Sequence, residues 1–173
     1  MKFQATRRRS ARNKDGLSIC GQRTRMIRNF LKLEVERGVK KFRNRLGRAV
    51  KATAPFRKGC PVLEYRGELL TKSQGLEREK MYANDPLKGS FLYFFFHGKG
   101  YCIDATSPSK YLARLVNHSR LNPNLVPTSE MINGKPRVVL IAARDIEVGE
   151  ELLYDYSDNR KEVVEMMPWL INS

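Results

Sequence analysis

The chain has 173 residues, which is enough for one domain with a buried core, and 41% of them are hydrophobic. Its formal net charge of +15 at pH 7 favours an anionic partner such as nucleic acid, and because no apolar run approaches the length of a membrane span a soluble protein is expected. The three cysteines are far apart and include no CxxC pair, which argues against a disulfide framework and against a zinc site.

The positive charge is concentrated in the first third of the sequence. Residues 1–51 hold 17 Lys and Arg against three acidic residues, whereas residues 52–173 hold 16 against 15. A basic segment of this kind suits the phosphates of DNA, and DNA contact through this basic N-terminal region is therefore expected. The alternative is a solvated tail that only keeps the protein soluble.

Two segments precede the first predicted strand. Residues 1–23 are predicted to be a disordered leader, since "MKFQATRRRSARNKDG" has few large apolar residues. The cluster Arg7–Arg9 is compatible with nuclear import, and an organelle transit peptide stays open as an alternative. A flanking helix is predicted over 24–38, because the apolar residues of "TRMIRNFLKLEVER" recur at helical spacing and Gly38 follows as a stop.

Short strands dominate the centre of the chain. They are predicted at "RAVKAT" (48–53) and "PVLEYRGELL" (61–70), and Thr71 with Gln74 makes a capping box for a helix that runs to about Ala83. "FLYFFF" and "YCIDAT" predict a hairpin over 91–106.

The last third of the sequence continues this pattern. "KYLARLV" predicts a short helix or turn, "NHSRLNPN" a loop, "RVVLIAARDI" a strongly apolar strand followed by "VGEELLYDY", and "RKEVVEMMPWL" a closing helix over 159–173. Many short strands without regular βαβ alternation predict a β-rich α+β domain.

Four stretches in this order resemble a SET domain, the protein-lysine methyltransferase fold: "RLGRAV", "LEYRG", "RLVNHSRLNPN" and "GEELLYDY". Together with "MYANDP", "YCIDAT", "LIAARDI" and the terminal "PWL", they are similar to the histone H4 lysine-20 monomethyltransferase subfamily in one register over roughly residues 34–171. The resemblance implies a SET domain over 39–158, built of small curved sheets with a pseudoknot where the NHS-like loop and the GEEL-x-YDY-like segment cross. It also implies short flanking helices and, in place of a zinc cluster, the closing C-terminal helix.

The resemblance further implies an enzyme that uses S-adenosyl-L-methionine, needs no metal and acts on the histone H4 tail in the nucleosome. A monomeric, chromatin-associated protein of the nucleus is expected. Two alternatives stay open: a catalytically inactive SET-fold module that binds nucleosomes or DNA, and a lysine methyltransferase with a non-histone substrate.

By the same resemblance, the catalytic residues are Tyr156, Tyr154 and Tyr65, at the end of a channel for the substrate lysine. Tyr156 is expected beside the transferred methyl group, and the hydroxyl of Tyr154 is expected to favour monomethylation. Tyr65, Tyr154 and Asp158 are expected to bind the substrate. The residues expected to bind the cofactor are Leu46, Gly47, Arg48, Phe91, Asn117, His118 and Trp169.

Each of these residues has a simpler interpretation when it is taken alone. A tyrosine on a strand is commonly a packing residue, His118 is equally well explained as a structural histidine, and Trp169 as a cap on the core. For the tyrosines, the joint register of the motifs favours the functional interpretation over the simpler one.

Three positions depart from the family pattern. Ala49 stands where the cofactor loop usually has a second glycine, Phe91 where this subfamily commonly has a tyrosine, and Ser157 where a glycine usually follows Tyr-Asp-Tyr. A methyl group at Ala49 would weaken cofactor binding if it pointed at the ligand. The inactive-module alternative draws on this altered loop.

Overall fold

The structure is a computed structural model that describes residues 19–33, 35–45, 47–84 and 89–156. The predictions for the leader up to residue 18, for Leu46, for Ser157, Asp158 and Trp169, and for the closing helix 159–173 lie outside the described residues. Within the described ranges, neither helix combines the length and the hydropathy that crossing a membrane requires.

The described elements are two helices, a 3₁₀ turn and a series of short strands. The helices are α1 (Ile19–Lys32) and α2 (Lys72–Ala83), and the 3₁₀ turn is Ala113–Leu115. The strands are β1 (Val39–Asn44), β2 (Gly47–Ala52), β3 (Pro61–Tyr65), β4 (Glu68–Thr71), β5 (Leu92–His97), β6 (Lys99–Asp104), β7 (Asn117–His118), β8 (Leu125–Ile132), β9 (Lys135–Ala142) and β10 (Leu153–Tyr154).

The strands form three small sheets. β1 and β2 make an antiparallel hairpin, and β4, β6 and β5 make a three-stranded antiparallel sheet. The third sheet has the order β3-β9-β8-β10-β7, in which β10 pairs in parallel with both of its neighbours. This β-rich α+β architecture is the predicted fold class.

Strand β9 is apolar from Val138 to Ala142, where both of its faces are covered. Val138 and Leu140 point into the main core, which also holds the side chains of β3 and β10. Val139 and Ile141 alternate to the other face, where they pack with Ile27 and Leu31 of α1. A strand buried on two sides shows a continuous apolar run rather than an alternating one.

A crossing of two chain segments forms next to β10. β10 lies between β7 and β8, which are themselves the two ends of the loop 119–124. The N–H of Ser119 donates to the carbonyl of Tyr154 (3.1 Å) on one side of β10, and the N–H of Asn124 donates to the carbonyl of Leu153 (3.0 Å) on the other. The last described segment of the chain therefore passes inside this loop, as the predicted pseudoknot requires.

The first helix differs from its prediction. It runs over Ile19–Lys32, not over 24–38, so residues 19–23 of the predicted leader are helical. Its first turns are held on β8 by Glu130, which forms an ion pair with Arg23 (3.6 Å) and accepts a hydrogen bond from Thr24 Oγ1 (3.4 Å). Gly38 is not the helix stop: it has φ +72° and leads directly into β1.

The predicted strand over 61–70 is broken into β3 and β4, which belong to different sheets. The chain passes between the sheets at Gly67, where an added Cβ atom would lie 2.3 Å from the carbonyl oxygen of Asp104. Only glycine permits so close an approach of two backbones. The helix α2, by contrast, begins where the capping box Thr71–Gln74 predicts, and it ends at the predicted Ala83.

Candidate active site

Four tyrosine rings meet where β3, β5 and β10 come together. The ring centroids of Tyr154 and Tyr156 are 4.8 Å apart. Tyr93 of β5 connects them to Tyr65 of β3, since its ring centroid lies 5.0 Å from that of Tyr65 and 6.2 Å from that of Tyr154. The structure thus brings together the three predicted catalytic tyrosines and adds a fourth that the sequence did not single out.

Burial keeps these phenols in their neutral form. Tyr65 and Tyr154 are 6% and 4% exposed, and burial raises the pKa of both well above the ordinary value of tyrosine. Burial also raises the pKa of Tyr93 and of Tyr156 to about 12. All four hydroxyls therefore keep their proton at physiological pH, so they can position a neighbouring group but cannot remove a proton as phenolates.

Tyr156 is fixed at both its backbone and its hydroxyl. Its backbone N–H donates to Nδ1 of His118 (3.0 Å), and its hydroxyl donates to the carbonyl of Val116 (2.8 Å). The His118 and Tyr156 rings are in contact, with centroids 5.0 Å apart. Because both acceptors belong to the strap 116–118, the position of the Tyr156 ring depends on the crossing of this strap with β10.

The predicted cofactor loop lies at the turn of the β1–β2 hairpin. Gly47 has φ +115°, a value that favours glycine, and the space next to its Cα is open. The guanidinium of Arg48 lies over the Phe91 ring, 5.6 Å from its centroid. Phe91 is itself connected to the tyrosine cluster, since the hydroxyl of Tyr65 donates to its carbonyl oxygen (3.5 Å).

Comparison with known proteins places these features in one family. A family model described as "SET domain" matches residues 47–157. The chain belongs to the SET-domain family. The match includes the hairpin turn at Gly47, the strap at His118 and all four tyrosines of the cluster.

Curated relatives share extensive identity with this SET-domain protein. The N-lysine methyltransferase KMT5A-A of Danio rerio is 50% identical over 125 residues, which are 72% of this chain and 36% of the relative. The histone-lysine N-methyltransferase set-1 of Caenorhabditis elegans is 44% identical over 128 residues, covering 73% of this chain and 53% of the relative. The chain thus spans about a third to a half of the length of these relatives.

Solved structures show the same fold. A crystal structure of CpSET8 from Cryptosporidium superposes with a TM-score of 0.66 at 41% sequence identity, over 70% of this chain and 58% of that one. The structure titled "ctPRC2 in an autoinhibited conformation bound to S-adenosylmethionine" gives a TM-score of 0.63 at 29% identity, over 79% of this chain and 17% of that one.

The residue Ala49, which departs from the family glycine, does not point towards Phe91. Successive side chains of a strand alternate between its faces, and Arg48 occupies the face that carries its contact with Phe91. Ala49 is therefore directed to the opposite face, beside its cross-strand partner Phe42, and it is fully buried. The methyl group of Ala49 is thus directed away from the side of the hairpin that contacts Phe91.

Arg114 is a site residue that the sequence did not reveal. Its guanidinium lies 4.8 Å from the centroid of Phe91, and its Nη1 donates to the carbonyl of Ala105 (2.9 Å). Its Nε is buried and has no hydrogen-bond acceptor among the described residues. A half-buried guanidinium whose buried Nε is a free donor beside Phe91 fits an anionic group such as the carboxylate of S-adenosylmethionine.

Glu151 is a second residue that the sequence did not reveal. Its carboxylate accepts hydrogen bonds from Nδ2 of Asn44 (2.9 and 3.0 Å) and from Nδ2 of Asn117 (3.0 Å). It therefore ties the hairpin turn to the strap that carries His118. Its place within the GEEL motif was visible in the sequence, but its partners lie 107 and 34 residues away along the chain.

Proposed function

We propose that this chain is an S-adenosylmethionine-dependent protein-lysine N-methyltransferase, and that it adds a single methyl group to lysine 20 of histone H4 in the nucleosome. The observation that carries the proposal is the cluster of Tyr65, Tyr93, Tyr154 and Tyr156, four neutral phenols around one point next to the candidate cofactor residues. The relatives, which include histone-lysine N-methyltransferases, support the same reaction.

The cofactor would be held by the residues around Phe91. Arg48 and Arg114 supply positive charge there. Gly47 precedes Arg48 in the hairpin, and Glu151 connects the hairpin residue Asn44 with Asn117, the neighbour of His118. When bound, S-adenosylmethionine supplies an electrophilic methyl carbon on a sulfonium, so the reaction needs a neutral amine in line with that carbon and no metal. Leu46 and Trp169 belong to the proposed cofactor site by resemblance alone.

The tyrosine cluster would favour the reactive form of the substrate amine. Lysine in water has a pKa of about 10.4, so most of it is protonated at physiological pH. A channel walled by buried rings disfavours the ammonium form, and the rings also pack along the aliphatic part of the side chain. The fixed hydroxyl of Tyr156 would then orient the nitrogen, and orientation is the principal contribution of such a site to the rate.

The hydroxyl of Tyr154 would limit the reaction to one methyl group. Its ring is packed between those of Tyr93 and Tyr156, so the hydroxyl has little freedom to move aside. A polar group held at this point, with the water that it binds, occupies the room that a methylated amine would need in order to react again. The proposed product is therefore monomethyl-lysine.

The proposed setting is chromatin in the nucleus, with the protein acting as a monomer. The basic N-terminal region would contact DNA, and Asp158 would contact the histone tail. Both assignments rest on charge and on resemblance to the family.

The test is intact-mass spectrometry of recombinant nucleosomes after incubation with the protein and S-adenosylmethionine. We expect a gain of one methyl group on histone H4, and no gain when lysine 20 of that histone is replaced by arginine. Tyr156→Phe should lower the rate about 100-fold or more, because it removes the hydroxyl that the strap holds in place. Tyr101→Phe makes the same chemical change outside the cluster and should retain the activity.

The possible failures have different meanings. Methylation that persists in nucleosomes whose histone H4 carries arginine in place of lysine 20 would overturn the choice of lysine but not the reaction. If no histone gains mass and calorimetry finds no binding of S-adenosylmethionine, the protein is not a methyltransferase.

A further inference from the structure

The β1–β2 hairpin carries a concentration of basic side chains on the folded domain itself. Its strands and turn, residues 39–52, contain no Asp or Glu. The basic residues are Lys40, Lys41, Arg43, Arg45, Arg48 and Lys51. Apart from Lys51, which is half-buried, all of them are exposed.

The hairpin arginines differ from the arginines that follow them, in residues 52–156. Between residues 52 and 156, every arginine except Arg114 forms an ion pair with a carboxylate, as Arg57 does with Asp145 (2.8 Å). Arg43, Arg45 and Arg48, in contrast, form no ion pair with any of the described residues. Over residues 52–156 the fold thus neutralises its arginines apart from Arg114. The hairpin arginines, like Arg25, Arg28 and Arg37 before them, keep a charge that no carboxylate of the described residues compensates.

The register of the hairpin places like charges opposite one another. Arg43 is the cross-strand partner of Arg48, and Lys40 is the cross-strand partner of Lys51. Directly opposed like charges destabilise a strand pair, whereas opposite charges would stabilise it. An arrangement that costs stability in the free protein is explained if an anionic partner covers the hairpin.

We propose that the β1–β2 hairpin is a docking surface for the phosphate backbone of double-stranded DNA. The surface, here called the basic hairpin, consists of Lys41 and Arg43, which share the face of Arg48, and of Arg45 in the turn. It is distinct from the leader at residues 1–18, because it is part of the folded domain. Its setting in chromatin rests on the proposed function, but the contact itself requires neither methyl transfer nor a histone.

The chemistry of the basic hairpin favours DNA over an acidic protein surface. Protein–protein interfaces are poor in lysine and are centred on buried aromatic anchors. The basic hairpin offers lysine and arginine side chains. The aromatic residue of the same strand, Phe42, is half-buried and has the ammonium of Lys51 over its ring (5.4 Å). Protein–DNA interfaces are strongly positive and need no such anchor.

The dimensions of the basic hairpin also suit a duplex. A strand as long as β1, with a rise of about 3.4 Å per residue, spans roughly 20 Å, the axial length of about six base pairs. The hairpin is fixed rather than free, since Asn44 is bonded to Glu151 and Arg48 lies over Phe91. Its charges are thus presented in one orientation, beside the candidate cofactor residues.

The experiment measures the affinity of the full chain for a fluorescent duplex of about 20 base pairs by anisotropy, over a range of salt concentrations. The hairpin variant is Lys41→Gln, Arg43→Gln and Arg45→Gln together. The control variant, Lys80→Gln, Lys110→Gln and Lys135→Gln, removes the same charge from other exposed positions. A third variant replaces Arg7, Arg8, Arg9 and Arg12 of the leader with Gln.

We expect the hairpin variant to bind at least tenfold more weakly than the unmodified chain near 0.1 M salt, a salt concentration at which phosphate contacts dominate. The slope of log affinity against log salt should fall in magnitude by about 2 to 3, since three phosphate contacts are lost. The affinity of the control variant for the duplex should fall by less than about threefold. The same hairpin substitutions made in the leader variant should again weaken binding.

Three outcomes would overturn the proposal. Equal losses in the hairpin and control variants would mean that only overall charge matters. An unchanged affinity in the hairpin variant would assign DNA contact to the leader. Retained duplex binding with lost binding to histone octamers would identify an acidic protein surface as the partner.

Two controls separate this proposal from others. Circular dichroism melting verifies that each variant is folded. Methylation of a short histone H4 peptide and of nucleosomes reports on the proposed function independently. If the unmodified chain methylates neither substrate and binds no S-adenosylmethionine, the enzyme proposal fails while the DNA result stands.

Discussion

Nδ1 of His118 accepts a hydrogen bond from the backbone N–H of Tyr156, at 3.0 Å. A backbone N–H can only donate, so Nδ1 carries no proton in this arrangement and a neutral ring has its proton on Nε2. The His118 side chain is 1% exposed, so water cannot replace it as the acceptor. His118 thus acts as a positioning residue for the tyrosine proposed to lie beside the transferred methyl group.

Replacing His118 should therefore separate acceptor loss from loss of the ring. His118→Leu removes the acceptor and leaves the Tyr156 N–H buried and unpaired, which should cost about 1–3 kcal/mol of stability and lower kcat at least tenfold. His118→Asn offers a side-chain oxygen in a similar place and should recover much of both losses. Urea unfolding and steady-state kinetics measure the two effects. If both variants lose the same activity, the ring itself is needed, and the acceptor role is wrong.

Replacing Tyr154 should change the product. Tyr154→Phe keeps the ring contacts with Tyr93 and Tyr156 but removes the hydroxyl, so stability should change by less than about 1 kcal/mol. Dimethyl-lysine should then accumulate on a peptide substrate during a long incubation, as mass spectrometry can show. Tyr93→Phe removes the hydroxyl of the neighbouring ring and should keep the product monomethyl. A purely monomethyl product from Tyr154→Phe would remove this residue from control of the product.

Replacing Glu151 should loosen the cofactor side of the site. Glu151→Ala leaves the side-chain amides of Asn44 and Asn117 without their acceptor, and we expect a loss of about 1–3 kcal/mol in stability. The affinity for S-adenosylmethionine, measured by calorimetry, should fall about tenfold. Glu151→Gln retains one acceptor oxygen, so its stability and its affinity for S-adenosylmethionine should lie between those of Glu151→Ala and the unmodified chain. Glu147→Ala, which removes an exposed carboxylate from the same segment, is the control.

An affinity for S-adenosylmethionine that stays the same in Glu151→Ala would show that the bridge supports only the fold. A loss of equal size in Glu147→Ala would trace the effect to the general charge of the segment rather than to the bridge between the two asparagines.

Local signals in the sequence predicted some elements closely. The start of α2 follows from Thr71 and Gln74, whose side chains satisfy the first backbone donors of the helix, and this signal needs no information from elsewhere in the chain. The predicted start of α1 was wrong because contacts of Arg23 and Thr24 with Glu130 hold the preceding turn on β8. Its predicted end was wrong because the chain turns at Leu33, whose N–H donates to the carbonyl of Phe30 (3.1 Å). Such contacts depend on the fold, and the local sequence does not predict them.

Strand β8 was not predicted. Its sequence "LVPTSEMI" contains a proline and several polar residues, and its burial is mostly partial. It forms because β9 offers a long apolar partner along its whole length. Strand propensity is strongly dependent on such context, so this strand could not be read from its own residues.

The residues of the candidate site likewise divide into those that short motifs predicted and those that only the fold brings together. Tyr65, Tyr154 and Tyr156 were found because they lie within short family motifs. Tyr93 had a weaker signal, its alternation with Phe95 along an apolar strand, and Arg114 had none. Arg114 matters because the fold brings Phe91 and the carbonyl of Ala105 to its guanidinium, and a single sequence does not contain that proximity.

The stability of the protein should depend on the protonation of Glu36, which lies between α1 and β1. Its Oε2 accepts a hydrogen bond from the N–H of Leu112 (2.9 Å), and its Oε1 is buried with no partner among the described residues. Burial raises the pKa of Glu36 from 4.5 to about 7, although the Leu112 N–H and Arg66 oppose the change. The folded state thus binds a proton more tightly here than the unfolded chain does.

The sign of the effect on stability follows from linkage. The contribution of protonated Glu36 is fully present below pH 4.5 and is lost as the pH rises towards 7, because the unfolded chain gives up this proton first. Glu36→Gln cannot ionise, yet its amide oxygen can still accept from Leu112. Urea unfolding at several pH values should therefore show that the free energy of unfolding of the variant rises relative to that of the unmodified chain between pH 4.5 and 7. At higher pH the difference should be constant.

The control for this pH dependence is Glu77→Gln, which replaces an exposed carboxylate of α2. Its difference from the unmodified chain should not grow over the same pH interval. The unmodified chain and Glu36→Gln share every other titrating group. The difference between their free energies of unfolding at each pH therefore isolates Glu36 from the carboxylates whose pKa is lowered by folding, such as that of Asp104. A Glu36→Gln variant that lost stability relative to the unmodified chain as the pH rose would mean that the ionised carboxylate is the form the fold stabilises.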